Sequence, residues 1–152
     1  MRQHWRKFET LTFDIVDSSL QDMLTTTGFI TLVRQICRVR GCGMVVLAPV
    51  CSSFSWMCRY STGRSITFPL GNEAFTSVAE ANMLVSRTIM ILSLIIARGC
   101  VFVLEQPLGS IMPQHPRFQQ FLADHVVWKV SLHMPPKHFC KGFAWKGLPG
   151  PL

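Results

Sequence analysis

Apolar positions along this chain follow two rhythms that alternate from one end to the other. Residues 11–16, within FETLTFDIV, carry β-favouring side chains with an acidic residue near the end, which predicts a strand. Residues 26–40 place apolar side chains at 29, 30, 32, 33, 36, 37 and 39, one broad helical face that Arg34, Arg38 and Arg40 leave. Gly41 and Gly43 stop that helix. GMVVLA (43–48) is wholly apolar and ends at Pro49, the pattern of a strand covered on both faces. Residues 51–76 have no clear period and predict a long loop. Ser77 followed by Glu80 reads as a capping box opening a helix over 78–98, with Arg98 in its last turn and Gly99 ending it. CVFVL (100–104) predicts another strand, followed by Glu105-Gln106-Pro107. A helix over 116–124 and a strand over 126–132 complete the pattern.

Strands alternating with helices predict an α/β fold on a mostly parallel sheet. In such a sheet the strand carboxyl ends share one edge, where ligands bind. Two unusual segments follow strand ends, Pro49-Val50-Cys51-Ser52-Ser53-Phe54-Ser55 and Glu105-Gln106-Pro107. The architecture brings both to one rim. Residues 1–134 are expected to form the α/β domain, and 135–152, rich in Pro, Gly, Lys and aromatics, an irregular basic and aromatic tail.

Composition narrows the class. The chain has 152 residues, which fits one domain. Hydrophobic residues make up 49% and charged residues 15%, with a mean hydropathy of +0.30, which excludes a disordered polyelectrolyte. So few charges predict apolar surface covered by a protein partner or by a missing segment of a larger protein. The net charge of +7 favours nucleic acid, acidic surfaces or phosphate-bearing ligands. Six cysteines, with no secretory h-region at the start, read as reduced thiols of an intracellular protein. The uncharged run over 88–97, between Arg87 and Arg98, is far shorter than the ~20 residues that span a bilayer, and reads as a buried core helix rather than a membrane segment.

A thiol next to a turn and a helix start can be activated by backbone dipoles and by cations such as Arg59 and Arg64. A glutamate at the neighbouring strand end can hold a proton against a heterocycle. Together they suit nucleophilic attack on an electron-poor ring. The plainer alternative is a packed cysteine and a glutamate serving as a cap or salt-bridge partner.

The residues carry a resemblance. Ala48-Pro49-Val50-Cys51-Ser52-Ser53-Phe54-Ser55 resembles the Gly-Pro-Pro-Cys-Gln-x-Phe-Ser nucleophile motif of cytosine-5 DNA methyltransferases. Val103-Leu104-Glu105-Gln106-Pro107 is similar to their Glu-Asn-Val motif. The blocks APVCSSF, TGR, EQP and HPR are also similar to those of a group of protist proteins, and the likeness covers roughly residues 8–123. The resemblance implies a Rossmann-like methyltransferase sheet. It implies that Cys51 adds to carbon 6 of a flipped cytosine, that Glu105 contacts ring N3 and the exocyclic amine, and that S-adenosylmethionine supplies a methyl group to carbon 5. Asp14, or else Asp17, then matches the ribose-binding position, Asp22 the position near the adenine, and Pro49 the turn presenting the thiol. Arg59 and Arg64 match phosphate contacts to DNA, in keeping with a nuclear protein. The family's glycine-rich Phe-x-Gly-x-Gly segment is not found in residues 1–25, and no Gln-x-Arg-x-Arg segment follows. The expected sheet is therefore incomplete, lacking its first strand and glycine-rich loop, as in a fragment or an inactive relative.

Two other classes compete. In a non-catalytic binding module, Cys51 merely packs, while Trp56, Arg59, Tyr60 and Arg64 bind nucleic acid through phosphates and stacking. The tail interleaves the same residue types at Lys137, His138, Phe139, Lys141, Phe143, Trp145 and Lys146. A metal site from Cys37 and Cys42 with His133, His138 and Cys140 has the wrong spacing for a zinc ribbon, and Cys37 falls on the apolar helix face. No metal is expected. His4, His115 and His125 form no constellation and read as surface or packing residues.

Overall fold

A computed structural model describes residues 9–132 and 142–147. Four strands form one sheet: β1 (Met44–Leu47), β2 (Val101–Pro107), β3 (Val127–Leu132) and β4 (Gly142–Gly147), in the order β1-β2-β4-β3. β1 and β2 pair in parallel, Met44 opposite Val101 and Leu47 opposite Leu104. β4 pairs antiparallel with both β2 and β3. Three strands thus run in one direction and β4 alone is reversed. The chain is α/β, but one pairing of three is parallel, which corrects the mostly parallel sheet expected. The reversal comes from Gly142–Gly147, expected in the irregular tail and instead placed in the middle of the sheet.

The helices are α1 (Thr26–Arg38), the short α2 (Arg59–Thr62), α3 (Thr76–Ala97) and α4 (Pro116–Asp124). Thr25 caps α1, its hydroxyl accepting from the Gly28 N–H at 3.0 Å. α3 starts two residues before the expected boundary. Phe75 occupies its cap without a side-chain bond, so the Ser77–Glu80 capping box does not form. Gly99, with φ +67°, ends the helix as expected. α3 is long and apolar enough to cross a membrane by length and composition. Its stripe of Val78, Asn82, Val85, Thr88, Ile91, Leu92 and Ile95 is nevertheless buried in the core.

Alternation along β2 decides what the sheet covers. Phe102, Leu104 and Gln106 are buried, and Phe102 meets Phe121 of α4 with ring centroids 6.0 Å apart. Val45 and Leu47 pack on the same side. The strand register places Met44, Val46, Trp128 and Val130 on the opposite side, where all four are exposed. β1 is therefore covered on one face only, not on both.

Residues 11–16 form no strand. They run into a turn in which the Asp17 and Ser18 N–H groups donate to the Asp14 carbonyl, and Leu11, Ile15 and Val16 are exposed. β-favouring side chains make a strand only when a neighbour takes up the backbone groups, and this stretch has no such pairing.

Candidate functional site

The chain leaving β1 runs through Ala48, Pro49 and Val50 to Cys51, which precedes a 3-10 turn over Ser52–Phe54. The Phe54 N–H donates to the Cys51 carbonyl at 2.9 Å and closes that turn. Phe54 is fully buried, and its carbonyl accepts from the Ile111 N–H at 2.9 Å. The turn after β1 is thereby sewn to the loop after β2. A second stitch is the Gln106 side-chain amide, which donates to the Pro49 carbonyl at 3.4 Å while its oxygen accepts from the Ser110 hydroxyl at 3.1 Å. A third is a close approach: a Cβ on Gly109 would lie 3.5 Å from Cβ of Trp56.

These stitches bring the Pro49–Cys51 segment and the end of β2 to one rim. Glu105 lies within β2 rather than beyond it, one position past the Leu47–Leu104 pair and half-buried. Strand alternation turns Glu105 toward the open face of the sheet, while Gln106 takes the buried place beside Pro49. The sequence marked Gln106 only as part of the Glu105-Gln106-Pro107 segment, with no role of its own. Its signal was a glutamine inside an otherwise apolar period-two pattern.

Arg64 is a correction of a different kind. It was expected to meet a phosphate, yet it is only 2% exposed. Its Nε donates to the Ser53 hydroxyl at 3.1 Å, Nη1 to the Pro69 carbonyl at 2.5 Å and to the Asn82 Oδ1 at 2.8 Å, and Nη2 to the Val78 carbonyl at 3.2 Å. Its guanidinium lies 3.9 Å from the centre of the Phe54 ring. Asn82 in turn donates to the Leu70 carbonyl at 3.0 Å and to the Glu73 carboxylate at 2.7 Å. Burial lowers the Arg64 pKa to about 10, with Glu73 acting in the opposite direction. The planar fork thus ties the Cys51 turn, the following loop and α3 together. The loop passes this hub at Gly71, whose φ is +65°. A Cβ there would come within 2.6 Å of Arg64 Cγ and of the Thr62 carbonyl oxygen. The sequence signal for the hub was Asn82, a polar residue on the buried stripe of α3.

His115 packs below the same turn, its ring centroid 6.4 Å from that of Phe54 in an edge-on arrangement. Its Nδ1 accepts from the Arg117 N–H at 3.2 Å and caps α4. Burial, followed by the charges of Arg64 and Arg117, pushes its pKa down to about 4. His115 is a packing residue, as expected.

The surface beyond this hub is aromatic and basic. Trp56 is 65% exposed and Tyr60 fully exposed. Arg59 stacks on Trp56, its guanidinium carbon 4.0 Å from the ring centre. An open surface cavity of about 400 Å³ lies among Trp56, Arg59, Tyr60, Gly63 and Arg64.

The expected cofactor residues lie elsewhere, on the segment leading into α1. Asp14 sits in an exposed turn, its Oδ1 accepting from the Val16 N–H at 2.9 Å. Asp22 accepts from the Leu24 N–H at 2.8 Å through Oδ1, and its carbonyl accepts from the Thr25 N–H at 3.1 Å. Asp17 is in the same exposed turn as Asp14. None of the three ends a strand, and both bonded carboxylates are engaged by nearby backbone. Among the described residues no group of three or more His, Cys, Asp or Glu side chains is placed to hold a metal ion. Cys37 is exposed rather than packed on the apolar face. His4, His133, His138 and Cys140 lie outside the described residues.

No family model, curated protein or solved structure matches this chain.

Proposed function

We propose that this chain is a cytosine-5 DNA methyltransferase-like domain that handles a pyrimidine base at the shared rim of β1 and β2, without holding S-adenosylmethionine. One observation carries the reading. The Gln106 amide bond to the Pro49 carbonyl ties the end of β2 to the thiol-bearing turn, although the two are remote in sequence. The order strand, Pro-x-Cys turn, helix, parallel strand, glutamate supports it further.

Because Asp14 and Asp22 lie in local turns and end no strand, no methyl transfer is derived. The chemistry left to the chain's own residues is reversible addition. The Cys51 thiolate sulfur bonds to carbon 6 of cytosine. The C5–C6 π pair is drawn through carbon 4 toward N3, and a proton from the Glu105 carboxyl lands on N3. Carbon 5 then accepts a deuteron from heavy water. Loss of its original proton to solvent, return of the N3 proton to the Glu105 carboxylate and expulsion of the Cys51 thiolate restore the ring.

The test is hydrogen–deuterium exchange at cytosine carbon 5 of an oligonucleotide in heavy water, with no cofactor added, followed by proton NMR. Exchange faster than in buffer, and its loss in Cys51→Ala and Glu105→Gln, supports the reading; exchange no faster than in buffer sinks it. Calorimetry with S-adenosylmethionine should show no saturable heat, and a saturable titration would overturn the absence of a cofactor site.

A further inference from the structure

We propose that the cavity among Trp56, Arg59, Tyr60, Gly63 and Arg64 is a nucleotide-binding site for single-stranded nucleic acid. The proposal deepens the reading above and rests on it for the class of partner. The site itself contains neither Cys51 nor Glu105.

Four observations define the occupant. The cavity, about 400 Å³, is large enough for one nucleotide unit and is lined by two aromatic rings, two guanidinium groups and no carboxylate. The rings are four residues apart on successive helical turns, Trp56 in the 3-10 turn Trp56–Cys58 and Tyr60 in α2. Both are exposed, Tyr60 fully and Trp56 by 65% with Arg59 over one face of its ring, so aromatic surface is open to a planar group. A flat ligand is thus favoured over a compact one.

Charge selects an anion, and the two arginines divide the work. Arg64 is buried, and its guanidinium is engaged by Ser53, Pro69, Asn82 and Val78. It serves as a fixed positive wall. Arg59 is held flat on Trp56, and its Nε is shielded from solvent with no hydrogen-bond partner among the described residues. Nε is closed to a ligand as it is to water, and the rest of the half-buried guanidinium carries the charge that an anionic oxygen meets. A planar group joined to an anionic oxygen is a nucleobase with its phosphate.

The strand state follows from the stacking. Bases in a duplex are already stacked on one another, and a ring beside Tyr60 or Trp56 competes only when the base is free. The pattern of stacking rings with a cation between them suits an unpaired strand and carries little sequence information.

The experiment is fluorescence polarisation with labelled dT15, which contains no cytosine, and with a duplex of equal length, over a range of salt. The expected result is at least tenfold tighter binding of dT15 than of duplex. Trp56→Ala and Tyr60→Ala each weaken dT15 binding about tenfold, and Trp56→Phe restores most of it. Arg59→Gln lowers the slope of log affinity against log salt by about 0.7. Both rings are exposed, so circular dichroism of the variants should match the parent. Duplex binding as tight as dT15, aromatic variants within twofold of the parent, or an unchanged salt slope in Arg59→Gln would each overturn the proposal. Absent carbon 5 exchange with dT15 binding intact therefore sinks only the base-addition reading, and exchange intact with inert aromatic variants sinks only this one.

Discussion

Replacing Arg64 by methionine separates a structural hub from a ligand contact. The substitution keeps the length and apolar stem of the side chain and removes the fork. Four hydrogen bonds are lost, to Ser53, Pro69, Asn82 and Val78. Each bond to a charged group has a net worth of ~1.5–3 kcal/mol, but bonds made by one group do not add. Removing one partner from a buried charged cluster costs ~3–5 kcal/mol, because the groups left behind stay buried. Here the Asn82 carbonyl oxygen and the Pro69 carbonyl lose their donor, so a cost of about 4 kcal/mol is expected. A domain of this size loses ~2–4 °C of Tm per kcal/mol, which gives a fall of roughly 8–16 °C. Arg64→Lys should recover less than half, since a single ammonium cannot reach three directions at once. Urea unfolding followed by far-UV circular dichroism reads the loss as a lower midpoint at unchanged slope. A cost below about 1 kcal/mol, together with a large loss of oligonucleotide affinity, would refute the hub and return Arg64 to the phosphate contact first expected.

The pH dependence of stability should carry the signature of His115. Its folded pKa, about 4, lies below the ordinary value of 6.5, so the unfolded chain takes up the proton first and stability falls as pH drops from 6.5 to 4. His115→Asn, which can still cap α4, should flatten that slope in denaturant titrations; an unchanged slope would place the effect elsewhere. Gln106→Leu should cost ~1–3 kcal/mol through the Pro49 and Ser110 groups it abandons, and should speed alkylation of Cys51 by loosening its turn, read by mass spectrometry against an unchanged parent rate. Gly71→Ala should destabilise by more than ~1 kcal/mol, since the added carbon meets Arg64 and the Thr62 carbonyl in a left-handed backbone, and thermal unfolding would show it.

The elements most legible in the sequence were those whose stabilising neighbours are local. α1 and α4 carried clear apolar faces, and α4 begins and ends where the pattern placed it, Pro116 supplying the first turn. β1 and β2 were legible as apolar runs, but their environment was not. A short apolar run reads as doubly covered, and only the sheet register shows Met44 and Val46 facing solvent. The capping box failed because Asn72 intervened. Its side chain accepts from the Ala74 N–H at 3.1 Å and its carbonyl from the Phe75 N–H at 3.1 Å, so the coil starts before Ser77. β4 was illegible because glycines begin and end it and one of its two partners, β2, lies far upstream.

At the site, the meeting of the two loops was legible from strand order, but its agents were not. Gln106, Asn82 and Arg64 are polar residues whose role is set by burial, and burial of a single polar side chain leaves little trace in sequence. Arg64 stood out as a cation near a thiol, a reading that assumed exposure. Trp56, Arg59 and Tyr60 were legible as a group because stacking and charge need no partner from elsewhere in the chain.

β4 follows β3 in the sequence yet lies between β2 and β3 in the sheet. During synthesis, the two outer neighbours emerge before the strand that joins them. Until Gly142–Gly147 leaves the ribosome, β2 presents a bare hydrogen-bonding edge and β3 has nothing to pair with. A nascent chain in that interval offers a template for another copy, so the hazard of misassembly lasts until this segment is free to pair.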